Sequence, residues 1–228
     1  MSTPPVLLVH GWGGSFATTW APTALVPILE DSGRTVIGVD LLGHGEAPKP
    51  HDPAAYADLT GRILDALPDE PVDAVGFSLG AMTLLRSAMA RPGAFRRLVL
   101  AGIGENVFRV DEAGHRAIVE ALQGTGDEEN NVARLFVQYA DQPGNDRAAL
   151  LAVMQRPSAP LQPADLATVD CPVLVVIGDR DFAGPGEPLA EALPDARLTV
   201  LPRTDHFATP ESFGLVDAVL EFLGDPTG

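Results

Sequence analysis

Short runs of apolar residues recur along this chain without a strict alternation of apolar and polar positions. Six of them are rich in valine and leucine: PPVLLVH, RTVIGVD, VDAVGFS, RRLVLAG, PVLVVIG and ARLTVLP. Runs of this kind are typical of strands that are buried on both faces, as in a parallel sheet. Helix-like stretches separate several of the runs, at 20–32, 54–67 and 79–90. The alternation of strand and helix predicts a doubly wound, mostly parallel α/β sheet with helices on both faces.

The end of the chain carries the pattern of one further helix. Thr209 is predicted to cap it and Pro210 to occupy its first helical position. The apolar residues of its predicted buried face follow at helical spacing: Leu215, Val216, Val219, Leu220 and Leu223. We expect this face to pack against the sheet.

The interval 105–168 breaks the alternation, since it has several helical patterns and no convincing strand. One predicted helical face in it carries Val132, Leu135, Phe136 and Tyr139. We interpret 105–168 as a helical cap or lid insertion, and residues 1–104 and 169–228 as the core domain. The apolar face can dock the insertion onto the core, and the insertion as a whole can also roof a pocket.

Composition and charge restrict the classes of partner. The chain has 228 residues, of which 46% are hydrophobic, which suits one well-packed core. Its 31 acidic and 15 basic residues give a net charge of −16, which repels nucleic acids and anionic membrane surfaces. We therefore expect neither as a partner, and the oligomeric state, monomer or dimer, stays open.

No targeting segment is expected at the N-terminus. The first apolar run spans only 6–9, and no basic residue precedes it, so it lacks the features of a signal peptide. No apolar stretch approaches the roughly 20 residues that a membrane span needs. We expect a cytoplasmic protein.

A candidate nucleophile lies in the sequence Gly76-Phe77-Ser78-Leu79-Gly80. This segment directly follows the third apolar run and directly precedes the predicted helix 79–90. A serine on so sharp a turn between a strand and a helix needs small residues two positions away on either side, because the two backbones pass close together. Ser78 is therefore predicted to lie at the N-terminus of the helix, where the helix dipole favours negative charge.

A serine hydroxyl needs a base that removes its proton, and histidine is the usual one. His206 follows the last predicted strand, where a loop at the carboxyl edge of the sheet can reach Ser78. His115 falls in a helical pattern of the insertion, and His51 falls in a proline-rich loop. We assign the general base to His206.

The histidine in turn needs a carboxylate that fixes its tautomer and stabilises the imidazolium. Asp181 follows the fifth apolar run and precedes His206 along the chain, so we assign it this part. Asp179 is the rival for the same part, and its alternative role is that of a surface turn residue.

Negative charge that develops on the substrate oxygen needs two hydrogen-bond donors. Leu79 can supply one backbone N–H from the start of its helix. The glycine-rich turn His10-Gly11-Trp12-Gly13-Gly14, after the first strand, can supply the N–H of Trp12. No lysine follows these glycines, so the turn does not have the pattern of a phosphate-binding loop.

Together with Asp40-Leu41-Leu42-Gly43-His44-Gly45, these motifs occur in an order that resembles the α/β-hydrolase superfamily, from Val6 to Leu223. The resemblance implies a cap after the sixth strand of the full family fold, a structural loop at 40–45, and structural roles for His10 and His44. Family members usually begin with an antiparallel strand pair, whereas the first strand here corresponds to their third. The resemblance therefore implies a sheet of about six strands that lacks this pair.

The expected function is that of a serine hydrolase that acts on a small, largely apolar carboxylic ester or a related acyl substrate, with no cofactor and no metal. A serine at the nucleophile position argues against the epoxide hydrolases and dehalogenases that resemble this superfamily but have aspartate there. Other enzymes with the same triad stay open: a carbon–carbon bond hydrolase, a lactonase, a thioesterase or a lyase. A hydrolase-fold protein that binds a ligand with little turnover also stays open.

Overall fold

A parallel sheet of six strands forms the centre of the computed structural model, which describes residues 3–127 and 129–224. The strands are β1 (Val6–Val9), β2 (Val36–Val39), β3 (Val72–Phe77), β4 (Phe95–Ala101), β5 (Val173–Gly178) and β6 (Ala196–Leu201). Their order across the sheet is β2-β1-β3-β4-β5-β6, and each neighbouring pair is parallel. The predicted doubly wound parallel sheet is confirmed, and each of the six apolar runs contributes one strand.

Eight α-helices accompany the sheet in the described part of the chain. They are α1 (Leu25–Asp31), α2 (Gly61–Ala66), α3 (Leu79–Ala90), α4 (Glu112–Gln123), α5 (Asn131–Ala140), α6 (Arg147–Met154), α7 (Glu187–Ala192) and α8 (Phe213–Gly224). A π-helical turn spans Phe16–Trp20, and 3₁₀ turns span Pro53–Tyr56, Glu105–Val107, Pro163–Thr168 and Thr209–Glu211. The predicted helix 79–90 is confirmed, with the same bounds.

The apolar side chains form one layer on each face of the sheet. Residues of α1 and α8, such as Leu25 and Leu215, pack in one layer with Val75 of β3. Residues of α2, α3 and α7 pack in the other, with Leu7 of β1. Helices therefore cover both faces, and the expected packing of the last helix against the sheet is confirmed.

Two of the predicted helical stretches are not continuous helices in the structure. The stretch 54–67 is divided, because the Asp58 carboxylate accepts hydrogen bonds from the N–H and hydroxyl of Thr60 at 2.8 and 2.7 Å and turns the backbone before α2. The stretch 20–32 contains a turn, closed by Thr23 on the carbonyl of Trp20, and α1 begins only at Leu25. These local side-chain bonds compete with a continuous helix.

The predicted cap of the last helix is wrong. The hydroxyl of Thr209 donates to the carbonyl of Asp205 at 2.9 Å, and Pro210 lies in a 3₁₀ turn. α8 begins at Phe213, where the Ser212 hydroxyl accepts from the N–H of Gly214 at 3.2 Å. A second residue that can cap a helix, three positions later, takes the role that the sequence suggested for Thr209.

The segment between β4 and β5 contains α4, α5 and α6, and its described residues form no strand. Two hydrogen bonds connect it to the turn after β1. The indole N–H of Trp12 donates to the carbonyl of Leu150 at 3.1 Å, and the amide of Asn145 donates to the carbonyl of Gly13 at 2.8 Å. The helical segment thus lies against the glycine-rich turn at the carboxyl end of β1.

Candidate active site

Ser78 lies at the turn where β3 ends and α3 begins, with the unusual backbone angles φ 50° and ψ −113°. The flanking glycines permit this turn. A Cβ on Gly76 would come within 2.7 Å of the backbone nitrogen of Ala81, and a Cβ on Gly80 within 2.4 Å of the carbonyl oxygen of His10. A strained residue at such a turn is held there by its surroundings, in this case by the N–H of Ser78, which donates to the carbonyl of Ala101 at 2.8 Å.

The side chains of Ser78, His206 and Asp181 form one hydrogen-bonded chain. Nε2 of His206 lies 2.9 Å from the hydroxyl of Ser78, and Nδ1 lies 2.8 and 3.0 Å from the two oxygens of Asp181. A carboxylate only accepts, so Nδ1 carries the proton and Nε2 is free to accept from the serine. The histidine is 5% exposed, and the carboxylate is fully buried. This arrangement suits removal of the serine proton.

The rival residues lie elsewhere. Asp179 accepts a hydrogen bond from the N–H of Thr204 at 3.2 Å, and so connects the loop after β5 to the loop that carries His206. His51 pairs with Asp146 at 2.9 Å on the surface. His115 lies on the exposed side of α4.

The two predicted oxyanion donors belong to segments that lie close to Ser78. Leu79 is the first residue of α3, so its N–H has no acceptor within its own helix. Trp12 belongs to the turn after β1, where a Cβ on Gly11 would lie 3.4 Å from the Cβ of Ser78. Both Gly11 and Trp12 line the same cavity as Ser78. The arrangement has the elements that an oxyanion hole requires.

Two buried histidines support the turn that holds Trp12. His10 donates from Nδ1 to the carbonyl of Gly11 at 2.7 Å and accepts from the N–H of Leu41 at 3.1 Å. The ring of His44 lies 5.0 Å from that of His10, and its Nε2 is buried without a hydrogen-bond partner among the described residues. Burial lowers the pKa of both, that of His44 to about 3. Both therefore stay neutral, and neither contacts Ser78 in the described hydrogen bonds.

The loop at 40–45 is also close to this turn. The Asp40 carboxylate accepts from the N–H of Phe16 at 2.8 Å and from the N–H of Glu46 at 2.9 Å. The bond to Phe16 joins the loop after β2 to the chain that follows the glycine-rich turn, and the bond to Glu46 closes the loop itself. Both bonds agree with the structural role that the family resemblance implies for this loop.

A cavity of about 160 Å³ opens beside Ser78 and His206. Aromatic rings form much of its wall: Trp12, Phe77, Phe136, Tyr139 and Phe207. Phe136 and Tyr139 come from α5, so two residues of the predicted apolar face reach the cavity, whereas Val132 of the same face is exposed. The remaining wall includes polar side chains, among them Thr18, Gln142 and Glu211.

Sequence reasoning missed three of the residues around the site. Phe182 packs on the His206 ring with centroids 4.3 Å apart, and Phe207 meets the same ring edge-on at 5.5 Å. Glu211 lines the cavity from the 3₁₀ turn before α8. The sequence offered one signal for the two phenylalanines, because each directly follows a predicted triad residue: Phe182 follows Asp181, and Phe207 follows His206.

A larger cavity of about 420 Å³ lies at the opposite edge of the sheet, where Arg34, Arg96 and Arg97 precede or begin strands. The described residues that line it include no serine–histidine pair. Open α/β sheets bind substrates at the carboxyl ends of their strands, so the smaller cavity is the candidate active site despite its size.

Across 3–127 and 129–224, no three His, Cys, Asp or Glu side chains come together in a way that could hold a metal ion. In the same residues, no helix is both long and apolar enough to cross a membrane.

A Ser–His–Asp chain at the carboxyl edge of a doubly wound sheet defines the class of serine hydrolases. The model of the alpha/beta hydrolase family matches residues 6–217, and the chain belongs to this family. The predicted family is thereby confirmed.

Relatives with assigned names include esterases. A pimeloyl-[acyl-carrier protein] methyl ester esterase from Neisseria meningitidis is 30% identical over 98% of this chain and 79% of its own length. The enzyme of that name from Methylococcus capsulatus is 33% identical over 86% of this chain and 82% of its own. Among solved structures, a hydrolase from Pseudomonas aeruginosa has a TM-score of 0.72 and 24% identity, and the match covers 98% of this chain and 91% of that one.

Proposed function

We propose that this protein is a serine esterase that cleaves a small, largely apolar carboxylic ester through an acyl-enzyme. Ser78 attacks the ester carbonyl while His206 takes its proton, and Asp181 holds the resulting imidazolium. The backbone N–H groups of Trp12 and Leu79 bind the oxyanion. His206 then protonates the leaving alcohol, and water releases the acid by the same steps in reverse order. None of these steps uses a cofactor or a metal.

The distance of 2.9 Å between Nε2 of His206 and the hydroxyl of Ser78 is the observation that carries this proposal. It lies within the reach that a general base needs. The two bonds from Asp181 fix the tautomer in which Nε2 accepts. The names of the two relatives above support ester hydrolysis in particular.

The size and wall of the cavity support a small substrate. Its volume of about 160 Å³ is below the range of pockets that hold drug-sized ligands, and its aromatic rings favour apolar groups. We assign the helices at 105–168 the role of a cap, and residues 1–104 and 169–228 that of the core. Phe136 and Tyr139 of the cap form part of the cavity wall beside Ser78. The net charge of −16 disfavours nucleic acids and anionic membranes as partners.

Intact-protein mass spectrometry after treatment with a fluorophosphonate probe tests the mechanism. We expect one adduct on the wild type and none on Ser78→Ala or His206→Ala, because labelling requires both the hydroxyl and its base. Asp179→Asn is the matched control and should label like the wild type, since Asp179 bonds to Thr204 rather than to the histidine. Absence of labelling on the wild type would exclude an activated Ser78 and would favour a ligand-binding role.

Product analysis then separates the enzymes that use the same triad. A panel of simple esters, lactones, thioesters and vinylogous diketones should show the highest kcat/KM for simple esters. A clear preference for one of the other classes would replace ester hydrolysis by that reaction and would leave the roles of Ser78 and His206 intact.

A further inference from the structure

Aromatic side chains in contact with one another form much of the wall of the cavity beside Ser78. The rings of Trp12 and Phe136 lie 5.1 Å apart, and those of Tyr139 and Phe207 are stacked at 5.3 Å. The rings come from three separate parts of the chain: the turn after β1, helix α5 and the loop that carries His206. Aromatic faces carry negative electrostatic potential, so several of them around one space favour a cation as well as an apolar group.

The charges at the cavity have one sign. Of the described residues that line it, Glu211 is a carboxylate, and none is a lysine or an arginine. Glu211 is exposed, and within 3–127 and 129–224 its carboxylate forms neither an ion pair nor a hydrogen bond. A negative charge at a substrate cavity without a protein counter-ion is available to a ligand.

Tyr139 indicates where this negative charge acts. Burial is the main cause that raises the pKa of its phenol, and the negative charges of Glu211 and Asp205 raise it further. Of these two carboxylates, Glu211 lines the cavity. Asp205 is not among the lining residues and accepts a hydrogen bond from the N–H of Ala208 at 3.0 Å.

We propose that this cavity selects esters that carry an alkylammonium group, with the cation held between the aromatic rings and Glu211 while Ser78 attacks the carbonyl. The inference rests on the proposed function and specifies the alcohol part of the ester as the cationic group, while the acyl part stays small and apolar. The reaction itself is unchanged: a bond forms between Ser78 Oγ and the acyl carbon, the alcohol leaves with the proton from His206, and water cleaves the acyl-enzyme. The acidic surface, with its net charge of −16, adds attraction for a cationic substrate.

A pair of esters with the same shape and different charge tests the inference. Choline propionate and 3,3-dimethylbutyl propionate differ by a quaternary nitrogen in place of a carbon. We expect the wild type to favour the choline ester by about tenfold in kcat/KM, the effect of a cation–π contact with a nearby carboxylate. Glu211→Gln should reduce this ratio by about threefold.

Glu70→Gln is the matched control, because Glu70 is exposed and lies before β3, at the opposite edge of the sheet from Ser78. It removes the same charge from the molecule and should keep the wild-type ratio. A wild-type ratio within about twofold of one would overturn the inference, and so would an equal loss in the two variants.

A binding measurement decides the case in which neither ester is cleaved. Isothermal titration calorimetry compares choline with 3,3-dimethylbutan-1-ol on the wild type and on Glu211→Gln. Tighter binding of choline that weakens in Glu211→Gln supports the cation site, and equal or undetectable binding of both alcohols rejects it. Failure of Ser78 labelling rejects the proposed function instead, so the two failures are distinct.

Discussion

Phe182 packs its ring on the imidazole of His206, with the ring centroids 4.3 Å apart and the planes inclined by 34°. Phe77 lies at 5.0 Å from the same imidazole. These rings leave the histidine 5% exposed although Phe182 itself is half exposed. Aromatic faces attract the imidazolium that forms when His206 takes the serine proton, and they keep water from competing for its nitrogen.

Phe182→Ala is therefore expected to lower kcat about fivefold with little change in KM, a loss of roughly 1 kcal/mol of transition-state stabilisation. Steady-state kinetics on the preferred ester measure both constants. Phe213→Ala is the control, because Phe213 is 78% exposed at the start of α8 and makes no ring contact with the described residues. Equal kcat values for the two variants would contradict a role for Phe182 at His206.

The triad should behave as one unit. Ser78→Ala and His206→Ala are each expected to lower kcat by roughly four to six orders of magnitude, and the double variant should lose less than about another tenfold. Once the base is absent the nucleophile is not activated, so its removal changes little. Single-turnover rates on a reactive aryl ester measure the three variants. Losses that multiply in the double variant would show that the two residues act independently.

Asn145 connects the helical segment to the glycine-rich turn. Its amide donates to the carbonyls of Gly13 and Tyr139, each at 2.8 Å. Asn145→Ala should lower the free energy of unfolding by about 1 kcal/mol and also raise KM, because Tyr139 and the turn both border the cavity. Denaturant unfolding and steady-state kinetics measure the two effects.

Asn130 supplies the matched control, since its side chain caps α5 by accepting from the N–H of Ala133 at 3.0 Å. Asn130→Ala should cost a similar free energy of unfolding and leave KM within about twofold of the wild type. If both variants change KM equally, general loosening of the segment explains the effect, and the bond to Gly13 has no separate role.

The sheet and the grouping of Ser78, Asp181 and His206 could be predicted because their signals are local. Each of these residues follows an apolar run that forms a strand, and the carboxyl ends of parallel strands meet at one edge of a sheet. The glycines that flank Ser78 indicate a close approach of two backbones. The structure shows this approach directly, because Gly80 lies against the carbonyls of Val9 and His10.

The cavity wall could not be predicted in the same way. Phe182, Phe207 and Glu211 belong to irregular loops and a 3₁₀ turn, where no periodicity shows which way a side chain points. The capping role of Thr209 failed for a related reason, because Ser212 competes for it and the choice depends on the tertiary position of α8. Contacts between distant loops leave no pattern in a single sequence.

Replacement of two glycines by alanine should change the free energy of unfolding in opposite directions. Gly80→Ala places a Cβ at 2.4 and 2.6 Å from the carbonyl oxygens of His10 and Val9. The β1 backbone cannot move away to relieve this clash, so we expect the free energy of unfolding to fall by about 3 kcal/mol or more. Gly61→Ala, at the first position of α2 with no atom within 4 Å of the new Cβ, should gain up to about 1 kcal/mol. Thermal and denaturant unfolding measure both. A neutral Gly80→Ala would mean that β1 and α3 can separate at the nucleophile turn.

The buried imidazole of His44 makes stability depend on pH with a definite sign. Its pKa is about 3 in the folded protein, mainly because burial disfavours the charged form, against an ordinary value of 6.5 in the unfolded chain. Between these values the unfolded chain binds a proton that the folded protein does not, so the free energy of unfolding falls as the pH falls, by at most about 1.4 kcal/mol per pH unit for this group.

Urea unfolding at several pH values between about 7 and 5 measures that slope. His44→Gln removes the titrating group and should reduce the slope by close to the full contribution of one histidine, whatever its effect on stability at neutral pH. His115→Gln, on the exposed side of α4, is the matched substitution with which His44→Gln is compared. The ring of His10 lies 5.0 Å from that of His44, and burial lowers the pKa of His10 as well. His44→Gln should therefore retain part of the pH dependence of the free energy of unfolding that the wild type shows. Identical slopes for the wild type and His44→Gln would show that His44 does not stay neutral in the folded protein.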